Sequence, residues 1–260
     1  MIERGLEPDF PPAAQQELAA ISGPAGATDG VRDVRYRLWA SIDNDDSSDL
    51  DQLTVAEALP GGRVRILVAV ADVDALVGKG SAIDGHAARN TTSVYTPAAI
   101  FPMLPEALST DLTSLNEDQY RIAVVADLVF EADGLLVTSD LYRARVRNHG
   151  KLAYRSVAAW LDGEGAAPRR IVEIPGLDEN LRLQDRVAQR LVELRHHHGA
   201  LSLETIETKA VFDGDVLSDL ELDRRNRAKQ LIEDFMIAAN GVTATYLESK
   251  RFTSLRRVLR

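Results

Sequence analysis

The sequence predicts an α+β fold: a mixed or antiparallel sheet with packed helices. Three observations point to it. Strand-like runs crowd the chain ahead of residue 156, and one of them is apolar at consecutive positions. Two further runs flank an Asp-Gly turn, as in a hairpin. Beyond residue 156 the apolar spacing becomes helical, and strands first with helices later is an α+β order. With 260 residues and 45% hydrophobic content, the chain can bury a large core.

The elements follow in order. Residues 9–22, "DFPPAAQQELAAIS", predict a short helix: Asp9 can cap, the prolines suit the first turn, and Ser22-Gly23-Pro24 stop it. Residues 23–30 are a loop. "VRDVRYRLWASI" predicts a strand in which Val34, Tyr36, Leu38 and Ala40 alternate with polar or basic residues. "RVRILVAVADV", 63–73, predicts a strand buried on both faces. Residues 84–105 read as mostly irregular, and Val94, Tyr95, Phe101 and Met103 predict a loop packed down rather than solvated. "RIAVVADLVF" and "LLVTSDLYRARVRN" form the hairpin around Asp133-Gly134. "SVAAWLDG" is a short helix, and 182–199 a longer one with Leu183, Val187, Leu191 and Leu194 on one stripe and Gly199 at its end. A few strand-like residues, "SLETIETKAVFDG", precede the longest helix, 225–249.

Composition excludes several classes. No cysteine is present, so disulfides, thiolate metal sites and thiol nucleophiles are out, and a reducing cytoplasm is the natural address. "MIERGLEPDFPP" has neither a basic nor an apolar region of a secretory signal. No run of about 18 apolar residues predicts a membrane span. A formal charge of −10 argues against a protein that coats duplex nucleic acid. It leaves room for a local basic channel, or for a carboxylate site neutralised by divalent ions.

Such a site is the strongest signal in the chain. "SIDNDDSSDLDQL" places Asp43, Asp45, Asp46, Asp49 and Asp51 within nine positions. One reading is a solvated acidic turn. A calcium loop counted from Asp43 requires a glycine at its sixth position and a glutamate at its twelfth; here these are Ser48 and Thr54, so that reading fails. An aspartyl-phosphate phosphatase uses Asp-x-Asp-x-Thr after a buried strand, and Asp43-Asn44-Asp45-Asp46-Ser47 comes close, without the parallel βα units that fold requires. A third reading is a Mg²⁺ site acting on phosphodiesters, in which two ions about 4 Å apart stabilise attacking and leaving oxygens. Asp43, Asp49 and Asp51 have the spacing to converge if the segment loops back between 44 and 48.

"SIDNDDSSDLDQL" resembles the signature opening the RNB catalytic domain of the ribonuclease II / ribonuclease R family: Thr-Ile-Asp, five variable residues, Asp-hydrophobic-Asp-Asp-Ala. Six more blocks align in the family's order: "ERGLEPDFPPAAQQEL", "RVRILVAVADVDALVGKGSAID", "SVYTPAAIFPMLPEALSTDLTSL", "GKLAYRSVAAWL", "RHHHGALSLE" and "IEDFMIAAN". The resemblance implies a hydrolytic exoribonuclease that degrades single-stranded RNA from its 3′ end to nucleoside 5′-monophosphates, with Mg²⁺ as cofactor. It implies an N-terminal helix and linker over 1–30, and over 31–260 the N-terminal portion of the domain. The remaining RNB portion and an S1-like barrel would follow, and this chain would need or continue into them. Asp43, Asp49 and Asp51 match the first three motif aspartates, implying metal binding and water activation, with Asp51 the most critical. The fourth is Gln52 here, whose amide carbonyl can ligate but carries no charge.

The resemblance also implies RNA contacts. Tyr95 matches a tyrosine that stacks on RNA, Tyr154 one near the scissile phosphate, and Glu233 a residue at the 3′-terminal nucleotide. On the residues alone, Tyr95 plugging its own loop and Glu233 pairing with Lys229 are competing readings. A family phenylalanine opposite the tyrosine is Leu203 here. Arg143, Arg145 and Arg147 share one strand face, either to track phosphates or as a solvated edge. His196, His197 and His198 fall at a helix C-terminus and read as structural or surface groups. The rival to catalysis is a degenerate module that binds RNA ends without cutting.

Overall fold

The computed structural model describes residues 1–96, 99–197, 207–213, 216–223 and 225–255. Leu203, His198 and Gly199 lie outside the described residues. In chain order come α1 (Pro12–Ala20), β1 (Arg32–Asp33), β2 (Ala40–Asp43), β3 (Gln52–Ala58), β4 (Val64–Ala71), α2 (Ala82–Asn90), β5 (Val94–Tyr95) and β6 (Ile100–Phe101). They are followed by β7 (Tyr120–Phe130), β8 (Leu136–Arg147), β9 (Gly150–Ala153), α3 (Tyr154–Leu161), α4 (Arg169–Glu173) and α5 (Leu177–His197). A hairpin of β10 (Glu207–Asp213) and β11 (Val216–Asp223) leads to α6 (Arg227–Ser249).

Seven strands form one sheet in the order β1-β8-β7-β4-β3-β2-β9. Its pairs are antiparallel except at the two margins, where β1 runs parallel to β8 and β9 parallel to β2. β4 sits in the middle and is buried on both sides, as its unbroken apolar run predicts. Ile66 and Val68 enter the layer under α3, α5 and α6, with Ile42, Leu128, Leu231 and Phe235. Leu67 and Ala69 face the opposite layer, with Trp39, Leu50, Leu53, Leu115 and Val125. A third cluster, Ala14, Val77, Ile83 and Leu108, fastens α1 to α2.

Four expectations are corrected. The cap of α1 is Pro11, with no side-chain bond, rather than Asp9; consecutive prolines lack the N–H groups a capping carboxylate would satisfy. The single strand expected over 31–42 is broken after Asp33, because the buried Trp39 indole donates to the Val34 carbonyl at 2.8 Å and turns the chain back. Tyr36 is consequently 73% exposed. The stretch 84–105 begins with a true helix. Ser81 accepts from Asp84 N–H, and the Glu17 carboxylate of α1 accepts from the N–H groups of Ala82 and Ile83. That last cap comes from 65 residues away and is invisible locally. The segment is not packed down as a whole either, since Tyr95 and Ile100 are exposed while Val94, Phe101 and Met103 are half-buried.

Other elements match their sequence signals. The β7–β8 hairpin turns at Gly134, whose φ of 90° lies in the region glycine tolerates without strain. α5 starts earlier than predicted, at Leu177, and buries Leu177, Leu181 and Ala188 besides Val187. His196 and His197 are exposed in its last turn. α6 opens on Asn226, whose side chain accepts from Lys229 N–H at 2.9 Å.

Candidate active site

The register of β2 and β3 builds the site. Ala40 pairs with Thr54 in antiparallel sense, and continuing that register puts Asp43 opposite Asp51. The intervening chain reverses in a turn at residues 45–46, as convergence of the aspartates requires. It is held from several sides. Ser47 Oγ donates to Asp43 Oδ1 at 3.0 Å, and Lys151 Nζ donates to the Ser47 carbonyl at 2.5 Å. Leu50 N–H donates to Ser114 Oγ, which itself donates to the Ser48 carbonyl. Leu115 N–H donates to the Leu50 carbonyl, and Ala71 N–H to that of Asp51. The acidic segment is therefore a braced loop, not a solvated spacer.

Its carboxylates sense one another. Solvent reaches Asp51, yet enough protein surrounds it that lost hydration, the Asp43 charge and, more weakly, the Asp49 charge push its carboxyl above the usual range. Asp49 is exposed; Asp45 and Asp46 are exposed at the turn. Among the described residues no three Asp, Glu or His side chains stand close enough to form a ready-made metal cage. The donor chemistry still suits a hard divalent ion. Mg²⁺ usually takes one or two carboxylates and fills its shell with water and substrate phosphate. Uncompensated negative charge that raises a carboxyl pKa is what such an ion would neutralise.

Both tyrosines come to this loop. β9 lies parallel to β2 with Ala153 beside Asp43, so Tyr154, the next residue, starts α3 over the acidic end. Burial, then Asp43 and Asp51, push the Tyr154 phenol upward, so it remains a hydrogen-bond donor. Tyr95 projects from the β5–β6 hairpin, 67% exposed, and Asp49 and Asp51 help burial raise its phenol. The reading of Tyr95 as a plug for its own loop is thus corrected: the ring stands open.

Glu233 arrives differently from the sequence reading. Its exposed carboxylate is paired with Arg225 at 2.6 Å, just ahead of α6. Lys229, one turn before Glu233, instead holds its ammonium 5.8 Å from the centre of the Tyr154 ring. Next door, Asp234 is fully buried and ion-paired with Arg195 of α5. The "FMIAAN" stretch is only partly enclosed, since Ile237 is 45% exposed while Phe235 is buried. Gln52 is buried, its amide N–H₂ donating to the Ile42 carbonyl at 3.5 Å, so its side chain serves the sheet. Of the arginine row, Arg143 pairs with Asp72 at 2.6 Å and Asp74 at 3.0 Å, and Arg147 with Asp118 at 2.9 Å.

Several residues that shape the site gave no sequence signal. Asn148 is buried and donates to Ser41 Oγ and the Leu115 carbonyl, while its own carbonyl accepts from Gly150 N–H. It ties β2, β9 and the loop-bracing segment together. Lys151, Ser114 and Lys229 act across separations that no local pattern reveals.

Residues 31–260 match the model of the RNB domain. Ribonuclease R of Vibrio cholerae is 34% identical over 254 residues, which span 96% of this chain and 30% of that protein. Exoribonuclease 2 of Salmonella heidelberg is 32% identical over 254 residues, 96% of this chain and 35% of that protein. Mycoplasma genitalium RNase R, solved in complex with ribose-methylated single-stranded RNA, superposes with a TM-score of 0.86 at 25% identity, covering 96% of this chain and 39% of that one. The chain thus spans about a third of the length of the curated relatives it matches.

Proposed function

The chain belongs to the RNB domain family, and on that premise we propose that residues 31–260 carry the cleavage centre of a hydrolytic exoribonuclease. Its substrate is single-stranded RNA, entered from the 3′ end and released as nucleoside 5′-monophosphates. The observation that carries the proposal is a braced loop whose register sets Asp43 opposite Asp51, with Asp49 at its rim and Tyr154 and Tyr95 near enough to sense these charges. The relatives named ribonuclease R and exoribonuclease 2, and the RNA-bound Mycoplasma structure, support the choice of polymer.

Asp43 and Asp51, with Asp49 at the rim, would hold Mg²⁺. When bound, the ion supplies positive charge against the phosphate and lowers the pKa of water. The chain's own groups do the rest. Asp51 holds the attacking water and draws its proton as the oxygen adds to phosphorus. The P–O3′ bond to the penultimate nucleotide breaks, and that 3′ oxygen leaves and is reprotonated. Tyr154 donates a hydrogen bond to a phosphate oxygen. Tyr95 offers its open face to a base, a contact indifferent to sequence and contributing about 1–3 kcal/mol. Glu233 accepts from the hydroxyls of the terminal ribose once Arg225 yields.

The test is incubation of the protein with end-labelled single-stranded RNA and Mg²⁺. Release of nucleoside 5′-monophosphates is the expected result. Retention of intact RNA would favour the second reading, an RNA-end-binding module without cleavage, which the buried Gln52 and the lack of a three-carboxylate cage among the described residues support. Hydrolysis of a simple phosphomonoester with RNA left intact would overturn both.

A further inference from the structure

The strand order brings a second feature to the end of the sheet that carries the aspartates. Tyr120 opens β7, pairs with Arg147 at the end of β8, and is 44% exposed. Three guanidinium groups surround its ring: Arg35 at 4.8 Å from the centroid, Arg145 at 5.0 Å and Arg147 at 5.9 Å. All three lie within the roughly 6 Å of a cation–π contact, so guanidinium groups sit over the ring while part of it stays open to solvent. Beside it lies a cleft of ≈ 580 Å³, walled by residues 24–27 on one side and by Asp118, Tyr120, Ile122 and Arg145 on the other.

The charge there is positive within a chain of net charge −10. Asp33 grips Arg35 through two hydrogen bonds, of 2.8 and 2.6 Å, and Asp118 takes Arg147. Arg145 has no carboxylate within ion-pair distance among the described residues. Each guanidinium carries five N–H donors, more than one carboxylate can satisfy, so donors remain for oxygens of a ligand. An aromatic face beside planar cations matches bases and phosphates together, the pattern of single-strand binding surfaces. β4 alone separates β7 from β3, and Asp51 lies level with Ala71 and Ala123, so Tyr120 stands two strands across and three residues farther along, roughly 14 Å from the aspartate loop and within reach of one polymer.

We propose that the cleft at Tyr120 and Arg145, with Arg147 beside the Tyr120 ring, is a second contact site for single-stranded RNA, gripping phosphates and stacking a base on the strand that leads to the aspartate loop. The inference rests on the proposed function for the identity of the polymer. It is tested by anisotropy of a labelled single-stranded RNA with the full chain in excess chelator, where cleavage is silent. Tyr120→Ala should weaken binding by about 5- to 150-fold, with Tyr120→Phe near wild type. Arg145→Gln should flatten the dependence of log affinity on log salt by about 0.7. Arg145→Gln also keeps the test valid if Tyr120→Ala fails to fold, as judged by its melting curve.

Unchanged affinity and salt slope in folded variants would overturn the proposal. Cleavage by wild type with those unchanged variants would leave the exonuclease reading standing and remove this one alone. Loss of affinity in the variants of a chain that never cleaves would do the reverse. No affinity of the wild type for single-stranded RNA would overturn both.

Discussion

At the scale of single residues, the proposed chemistry turns on Asp51. Its carboxyl pKa lies above the ordinary value because hydration is lost and Asp43 stands opposite. The sign of the linkage follows. With the folded pKa above the unfolded one, ionised Asp51 costs the metal-free fold stability at neutral pH, and the cost is relieved as pH falls through the folded pKa. Asp51→Asn should therefore raise the melting temperature of the metal-free protein at pH 7 and leave it unchanged in acid, where both forms are neutral. The same change should lower cleavage by about 10²-fold or more while RNA affinity measured without metal survives. Equal loss of cleavage and binding would make Asp51 a general RNA contact rather than a group at the reacting phosphate. Tyr95 makes a complementary case: Tyr95→Ala should weaken RNA binding by about 1–3 kcal/mol, and Tyr95→Phe by much less, because the ring rather than the hydroxyl carries the contact.

At the scale of elements, local patterns predicted the strands and helices whose signals are contained within them. β4 announced itself by consecutive apolar residues, the β7–β8 hairpin by Asp133-Gly134, and α6 by its length. Missed features depend on distant partners: the Glu17 cap on α2, the Trp39 indole bond that ends β1, and Asn148 joining two strands to the loop brace. The acidic motif was legible as a cluster, and its register was not, since the pairing of Ala40 with Thr54 is a property of the sheet. The α5–α6 contact gives a test at this scale. Asp234 is enclosed, its carboxyl is raised by burial, and Arg195 is its ion-pair partner. Arg195→Ala should cost about 3–5 kcal/mol, because a buried carboxylate is left unpaired. Asp234→Asn in the same background should recover much of that loss, which denaturant titration of the single and double variants would measure.

At the scale of the whole molecule, the charge of −10 is misleading as an average. It is distributed as a braced acidic loop, a helix-borne Lys229 beside the Tyr154 ring, and arginines around Tyr120. Binding a divalent ion at the loop should then be visible in global stability, because the unfolded chain has no such register of carboxylates. At Mg²⁺ about 100-fold above its dissociation constant, linkage predicts about 2.7 kcal/mol of stabilisation. For a chain of this size, that is roughly 5–10 °C in melting temperature. Sodium chloride at matched ionic strength should give much less, since screening does not replace a ligand bound by Asp43 and Asp51. The Mg²⁺ increment should shrink as pH falls toward the raised Asp51 pKa, where protons compete for the same oxygens, and it should be lost in Asp51→Asn. Equal stabilisation of wild type and Asp51→Asn by Mg²⁺ would move the ion elsewhere on the acidic surface and leave the loop without the charge its geometry calls for.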